Sequence, residues 1–387
     1  MYCGNSVTVK MVCCKRIVLC HLDLETDICY IIHMEQLGSI TTREELETYI
    51  TLTETEKNWF THHNGTLPFQ ISRYYANLID PDNPEDPLRR QVVPSTEEDS
   101  VEPAEVLDPL AEVTHSVFPR LIHRYTNRVA FLVTDTCVTY CRHCFRRRFT
   151  AGSCSAVSDK ELLDIVDYLR EHTEVREILL TGGDPLTLSD TNLIRIMSAL
   201  RSARNDLVIR LCTRVVATYP FRISENLITQ LRKFTSPALY VMTQFNHWKE
   251  ITAESKTAVA RFIDAGIPVM NQTVLLRKVN DDVDTLERLM NDLVAIRVKP
   301  YYLFQGDLVG GTSHLRVPLE HGIQLESQLR QRLSGLAMPV YAIDLPEGGG
   351  KVPLGTVYLK GKKRDGSWEF RTVGGETRSY PDPNELH

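Results

Sequence analysis

No run of about 18 uncharged apolar residues occurs anywhere in the 387-residue sequence, so no transmembrane helix is expected. Nor is a secretory leader expected. Lys10, Lys15 and Arg16 interrupt the first apolar residues, and no small-residue cleavage site follows a clear apolar core. There is no basic excess: 44 Lys and Arg face 50 Asp and Glu, and the net charge of −6 argues against a general nucleic-acid binder. Low-complexity tracts are absent. A hydrophobic content of 42% excludes a disordered or collagen-like chain. The length suffices for a sizeable core, as one large α/β domain with appendages or as two domains.

Cysteine, by contrast, is present ten times. A chain this long is not a small secreted disulfide scaffold, which usually has under about 100 residues. Reduced thiols in a cytoplasmic compartment are the expectation, free for metal binding or chemistry. Cys3, Cys13, Cys14, Cys20 and Cys29 crowd the first stretch without ligand spacing. Residues 1–33 therefore read as an accessory extension or as sequence ahead of a start at Met34; a second metal site is the sharper alternative. Cys137, Cys141, Cys144, Cys154 and Cys212 lie in the body of the chain.

Residues 34–118 are expected to form an N-terminal helical arm. Thr42 with Glu45 offers a capping box, and Pro81, Pro84, Pro87, Pro94, Pro103 and Pro109 lie among many acids in an extended, wrapping connector. From 119 to 345 strand and helix alternate. Apolar runs at Val129–Val133, Ile178–Leu180, Leu207–Leu211, Leu239–Met242, Pro268–Leu276, Tyr301–Phe304 and Val340–Ile343 are separated by amphipathic, helix-length segments. Continuous apolar runs suit the buried strands of a parallel sheet, and six or seven βα units in series predict a barrel or an open wound sheet. Residues 346–387 close the chain, with short strands and turns expected at Gly361 and Asp365-Gly366.

Chemistry concentrates just after the first of these strands, in Cys137-Val-Thr-Tyr-Cys141-Arg-His-Cys144. Three thiolates can hold three irons of a four-iron cluster and leave the fourth open, and an open position separates a reactive metal site from a structural one. A zinc site completed by His143 or Cys154 is the alternative, although a zinc knuckle seldom opens a long βα series. The spacing resembles that of radical S-adenosylmethionine enzymes. The second strand supports this, ending in Thr181-Gly182-Gly183-Asp184-Pro185, which looks like the superfamily's motif for the methionine moiety. Glycines allow close backbone approach, and an acid can take an ammonium group.

A narrower resemblance covers about residues 34 to 380. Cys141-Arg-His-Cys144-Phe-Arg146-Arg147-Arg148-Phe149, His123-Arg124-Tyr125 with Arg128, Phe245-Asn246-His247, Asn271-Gln-Thr-Val-Leu-Leu-Arg277, Pro300-Tyr-Tyr302 with Asp307, and Gly348-Gly-Gly-Lys351-Val-Pro-Leu354 are similar to the lysine 2,3-aminomutase family. The resemblance implies a partial (β/α) barrel of the radical SAM type, with an N-terminal helical arm and a C-terminal segment carrying the pyridoxal-phosphate lysine. It implies a [4Fe–4S] cluster on Cys137, Cys141 and Cys144, S-adenosylmethionine at Gly182, Gly183, Asp184 and Gln272, and pyridoxal 5′-phosphate on Lys351 with Arg124 and Arg128 as anchors. The substrate would be L-lysine, its carboxylate on Arg146 and its ε-ammonium between Asp307 and Asp344. Two acids there would repel the side chain of glutamate. The implied reaction moves the α-amino group to the β carbon through a pyridoxal-phosphate aldimine and a 5′-deoxyadenosyl radical.

Cys137, Gly182, Asp307 and Asp344 each follow an apolar run, which in a β/α barrel places them at one mouth. Arg214, Asn246 and His247 fit the same rule and are candidates for the nucleoside part. The resemblance further implies an external reductant such as a flavodoxin or ferredoxin, a homo-oligomer, and no membrane or nucleic-acid partner. One departure is that no cysteine follows Cys212, so the cysteine-rich structural zinc segment of the free-lysine enzymes is not expected. A short C-terminus is similar to relatives that make β-lysine for elongation factor P. A non-catalytic zinc module touching nucleic acid through Arg142–Arg148 is the rival from another class.

Overall fold

The computed structural model describes residues 8–13, 16–21, 38–62, 67–150, 152 and 155–381. Cys154 and the status of residues 1–33 thus lie outside the described residues, apart from a hairpin of Thr8–Cys13 with Arg16–His21.

A ten-stranded sheet organises the rest. Its strands are β1 (Ser116–Phe118), β2 (Leu121–Tyr125), β3 (Arg128–Thr134), β4 (Glu177–Gly182), β5 (Val208–Thr213), β6 (Leu239–Thr243), β7 (Val269–Val274), β8 (Lys299–Phe304), β9 (Val340–Leu345) and β10 (Gly350–Pro353), lying side by side in chain order. The strands β3 to β9 run parallel; β1, β2 and β10 are antiparallel margins. Long helices follow the parallel strands: α2 (Asp159–Glu171), α3 (Asp190–Ala203), α4 (Glu225–Leu231), α5 (Ala253–Asp264), α6 (Val283–Ala295) and α7 (Leu319–Arg332), α1 (Glu54–His62) lying in the arm. Five of the six start on a side-chain cap, Ser158, Ser189, Ser224, Thr252 or Asp282, whose oxygen accepts an otherwise unpartnered first-turn N–H.

Continuous apolar strands were expected, but the strands alternate. Phe131, Ile178, Leu180, Ile209 and Leu211 point outward into a core shared with the helices. Ala130, Leu179, Arg210, Cys212, Gln272 and Tyr302 face inward onto a cavity. A strand presents successive side chains to opposite faces, so a filled outer face and a hollow inner one require this period of two.

The sheet curls until its margins meet. The Lys351 N–H on β10 donates to the Tyr125 hydroxyl on β2 at 3.1 Å, and Arg124 lies 3.6 Å from Asp344 of β9. The result is a partial barrel closed by side chains instead of a backbone ladder. Lys351 therefore belongs to the main sheet, opposite Asp344, although its Gly-rich segment carries no strand signature. Beyond it, Leu359–Lys362, Trp368–Arg371 and Thr377–Tyr380 form a separate meander. The expected turn at Asp365-Gly366 is present, whereas Gly361 sits inside the first of these strands at a register shift.

The arm has a small core of its own around Ile40, Leu46, Trp59, Phe69, Tyr75, Leu88 and Val92. Thr42 caps the first helical turn at Glu45 N, but the Glu45 carboxylate pairs with Arg73, so the capping box is half formed. Among the described residues no helix is long and apolar enough to cross a membrane.

Candidate active site

A cavity of about 580 Å³ occupies the concave side of the sheet. Cys137, Cys141, Cys144, Arg146, Gly182, Gly183, Asp184, Gln272, Asp307, Asp344, Lys351, Arg124 and Arg128 all line it. The site residues thus share one space, but not one rim. Cys137 follows the C-terminal end of β3, whereas Arg128 begins that strand. The cavity runs the depth of the sheet.

The cysteine loop is held from outside by the arm. Gln70 donates to the carbonyls of Cys137 and Val138 at 2.7 and 3.3 Å, Tyr140 N–H donates to Gln70 O at 2.9 Å, and Arg142 N–H donates to Gln91 O at 2.8 Å. Burial pushes the thiols of Cys137 and Cys144 up, by repulsion from Asp184 and Cys141 respectively in addition. All three cysteines are free of disulfides. Among the described residues no three His, Cys, Asp or Glu converge on a single-ion site, and Cys154 lies outside the described residues. Three soft donors around one open cavity suit an iron–sulfur cluster, which spreads its ligands over several irons.

Gly182 and Gly183 have a structural role in addition to lining the cavity. A Cβ on Gly182, whose φ is +113°, would lie 2.3 Å from Thr134 O, and one on Gly183 would lie 2.2 Å from Thr136 O. The glycines let the end of β4 close onto the backbone that leads into Cys137, besides leaving room in the cavity. Asp184 lines the cavity and is also a structural tie. Its carboxylate already accepts from Leu186 N, Arg214 N and Val215 N at 2.7–3.2 Å and from Thr213 Oγ1 at 2.8 and 2.9 Å. Burial raises its pKa against these bonds. Asp184 ties β4 to β5, and its carboxylate has little capacity left for a cofactor ammonium.

At the other end, the Lys351 Nζ is bound by Asp344 and lies 4.0 Å from the Phe304 ring centre. Arg128 stacks 3.7 Å above the Tyr125 ring. Arg124 Nε and Nη2 are buried without a hydrogen-bond partner. A buried guanidinium with hydrogen-bond donors to spare, ion-paired only at 3.6 Å to Asp344 and beside a lysine amine on the wall of a cavity, is a fitting place for a phosphorylated aldehyde: the arginine takes the anion and the amine takes the carbonyl carbon.

Between these ends, Arg146 and Asp307 face the same space. Arg146 is held by Glu112 at 2.7 and 2.9 Å and donates to Thr181 Oγ1 at 2.9 Å. Asp307 is pushed up to about 7, first by burial and then by the charge of Asp344. An arriving cation would relieve both effects.

Of the three nucleoside candidates, Arg214 lines the cavity. Asn246 and His247 do not line the cavity. Asn246 Nδ2 donates to Gln91 Oε1 at 2.9 Å, and its Oδ1 accepts Val274 N–H at 2.9 Å. His247 Nδ1 accepts Lys249 N–H at 3.1 Å, with its pKa lowered by burial to about 4. Arg214 reaches the cysteine loop. Glu112, Arg210 and Glu177 were not among the expected site residues. Arg210 pairs with Glu177 on the cavity wall, and its only signal was a charge inside an apolar run.

The arginine run is not a nucleic-acid patch. Arg142 and Arg147 share Glu98, with side chains 1% and 5% exposed. Arg146 takes Glu112, and Arg148 takes Asp108 and Glu112. The acids of the connector are counterions, which removes the support for a nucleic-acid-binding module.

Residues 131–290 match the radical SAM superfamily. The chain is 40% identical over 344 residues to the L-lysine 2,3-aminomutase of Clostridium subterminale, covering 89% of this chain and 82% of that one. It is 41% identical over 345 residues to the L-lysine 2,3-aminomutase of Bacillus subtilis, covering 89% and 73%. It is also 38% identical over 351 residues to the glutamate 2,3-aminomutase of Clostridioides difficile, covering 90% and 82%.

Proposed function

The chain belongs to the lysine 2,3-aminomutase family of radical SAM isomerases, and we propose that its own substrate is L-lysine, whose α-amino group it moves to the β carbon. The family's cofactors are a [4Fe–4S] cluster, S-adenosylmethionine and pyridoxal 5′-phosphate. When bound, the first two supply a hydrogen-abstracting radical, and the third supplies the carbonyl that carries the migrating nitrogen.

One observation carries the choice of lysine over glutamate: Asp307, with a pKa near 7, and Asp344 face the cavity that also holds Arg146. A carboxylate side chain would meet two carboxyl groups, whereas an ammonium would neutralise them. Arg146 is the cation for the substrate carboxylate, and Glu112 holds its guanidinium in place. Cys137, Cys141 and Cys144 hold the cluster, with Gly182, Gly183 and Gln272 beside it on the cavity wall. Lys351 is the nucleophile for the pyridoxal aldehyde, and Asp344 orients its amine. Arg124 and Arg128 take the phosphate. The electron donor is taken to be a flavodoxin or ferredoxin, and the setting a reducing cytoplasm.

The test is anaerobic reconstitution with iron, sulfide, pyridoxal phosphate, S-adenosylmethionine and dithionite, offering lysine and glutamate separately. β-Lysine should form and β-glutamate should not. Cleavage of S-adenosylmethionine without β-lysine would refute the substrate assignment. Lys351→Ala should lose the visible-edge absorbance of bound pyridoxal.

A further inference from the structure

Arg214 follows the end of β5, and the turn that carries it is fixed by its own N–H and that of Val215 donating to Asp184. Its guanidinium lies in the wall of the cavity and is 7% exposed. Nη1 donates to Cys141 Sγ at 2.7 Å. Nη2 donates to Gln91 Oε1 at 2.5 Å and to Glu250 Oε1 at 2.7 Å. Glu250 is fully buried and itself fully engaged: Oε1 also accepts from the Tyr75 hydroxyl at 2.6 Å, and Oε2 accepts the N–H groups of Asn246 and His247 at 2.6 and 2.9 Å. Among the described residues, neither Cys137 nor Cys144 receives a charged donor of this kind.

The order of charges matters. The guanidinium is in contact with the sulfur, and the carboxylate stands behind it, so the pair presents its positive end to Cys141. Reduction adds one negative charge to a cluster on thiolates. A fixed cation hydrogen-bonded to a ligand sulfur stabilises the reduced form more than the oxidised one. The fork is held on three sides by groups of both the arm and the sheet, so it needs no rearrangement when the electron arrives. Arginine suits this place because one planar group reaches sulfur, amide and carboxylate together, which a lysine cannot do.

We propose that Arg214, oriented by Glu250 and Gln91, is a positioning residue that raises the reduction potential of the cluster by donating to the Cys141 thiolate. The inference rests on the iron–sulfur reading of Cys137, Cys141 and Cys144. It predicts opposite effects from the two halves of the pair. Arg214→Gln leaves Glu250 uncompensated and should make the cluster harder to reduce, lowering the ratio of reduced to oxidised cluster about tenfold at fixed potential, which is about 59 mV for a one-electron couple. Glu250→Gln removes the opposing charge and should shift the potential upward. Arg214→Lys keeps the charge but not the fork and should fall between Arg214→Gln and the parent.

The experiment is redox titration of the reconstituted full-length protein, followed by electron paramagnetic resonance, with iron and sulfide counted in each sample. Absence of a four-iron cluster in the parent would refute the underlying reading before any potential is compared. With a full cluster in the parent and in Arg214→Gln, an unshifted potential overturns the role of Arg214, as does a shift of both variants in the same direction. Should Arg214→Gln not retain iron, Glu250→Gln and Arg214→Lys decide: an upward and a downward shift respectively support the proposal, and two unshifted potentials overturn it.

Discussion

Asp307 shows how a single carboxyl can be poised for a cation. Burial and the Asp344 charge hold its pKa near 7, well above the ordinary 3.8. Below pH 7 the group is mostly protonated and neutral, and the proton must leave before it can pair with an ammonium. Lysine affinity is therefore expected to rise with pH up to about 7, by as much as roughly tenfold per unit, and to level off above it. Asp307→Asn should flatten that profile and weaken binding at pH 8. A pH series of lysine binding by parent and variant checks this, and an unchanged slope in the variant would assign the titration to another group. At this scale the sequence was legible where a residue type has one chemistry, as with three cysteines or a lysine after glycines. It was not legible for Asp184, Arg214 or Asn246. Their partners Thr213, Cys141, Gln91 and Val274 lie far along the chain, and nothing local announces the pairing.

At the scale of elements, the βα series was legible because the outward strand faces are apolar and five of the six helices carry their own side-chain cap. The seven parallel strands fall on the seven apolar runs, with ends shifted by a residue or two. β10 was hidden because Gly350-Lys-Val-Pro353 has neither length nor an apolar run; only its pairing with β9 makes it a strand. The junction of β4 with the cysteine loop gives a sharper test. At Gly183 a methyl group would meet Thr136 backbone atoms at 2.2 and 2.6 Å, and backbone on both sides cannot yield as a flexible side chain would. Gly183→Ala is expected to cost about 3 kcal/mol in denaturant titration and to lower iron retention. Gly335 has open space around its Cβ position, and Gly335→Ala should stay within about 0.5 kcal/mol of the parent. Equal losses in the two variants would show that the close approach at Gly183 is not what requires glycine.

At the scale of the whole molecule, the acidic, proline-rich connector, expected as an extended wrapping segment, also supplies the counter-charge of the cysteine loop. Glu98 carries most of that attachment, accepting from Arg142 at 2.7 and 2.6 Å and from Arg147 at 2.9 Å, while Arg142 also donates to Pro68 O at 2.9 Å. Burial works to raise the Glu98 pKa, but the two arginine charges outweigh it and hold it below the ordinary 4.5. A lowered carboxyl pKa gives stability that is present above that ordinary value and is lost as pH falls through the folded one. Glu98→Gln leaves two buried guanidinium groups facing each other and should cost about 3–5 kcal/mol at pH 7. The gap between variant and parent should narrow below pH 4.5, where the unfolded parent takes up a proton that the folded state resists. Glu97→Gln is the comparison: its pair with Arg90 is 3.8 Å apart with the carboxylate half exposed, so its loss should stay below about 1 kcal/mol. Because Gln70 and Gln91 of the arm hold the loop that carries the cysteines, the Glu98 variant should release iron faster than it loses helical circular dichroism. Simultaneous loss of iron and helix would mean that arm and sheet unfold as one unit.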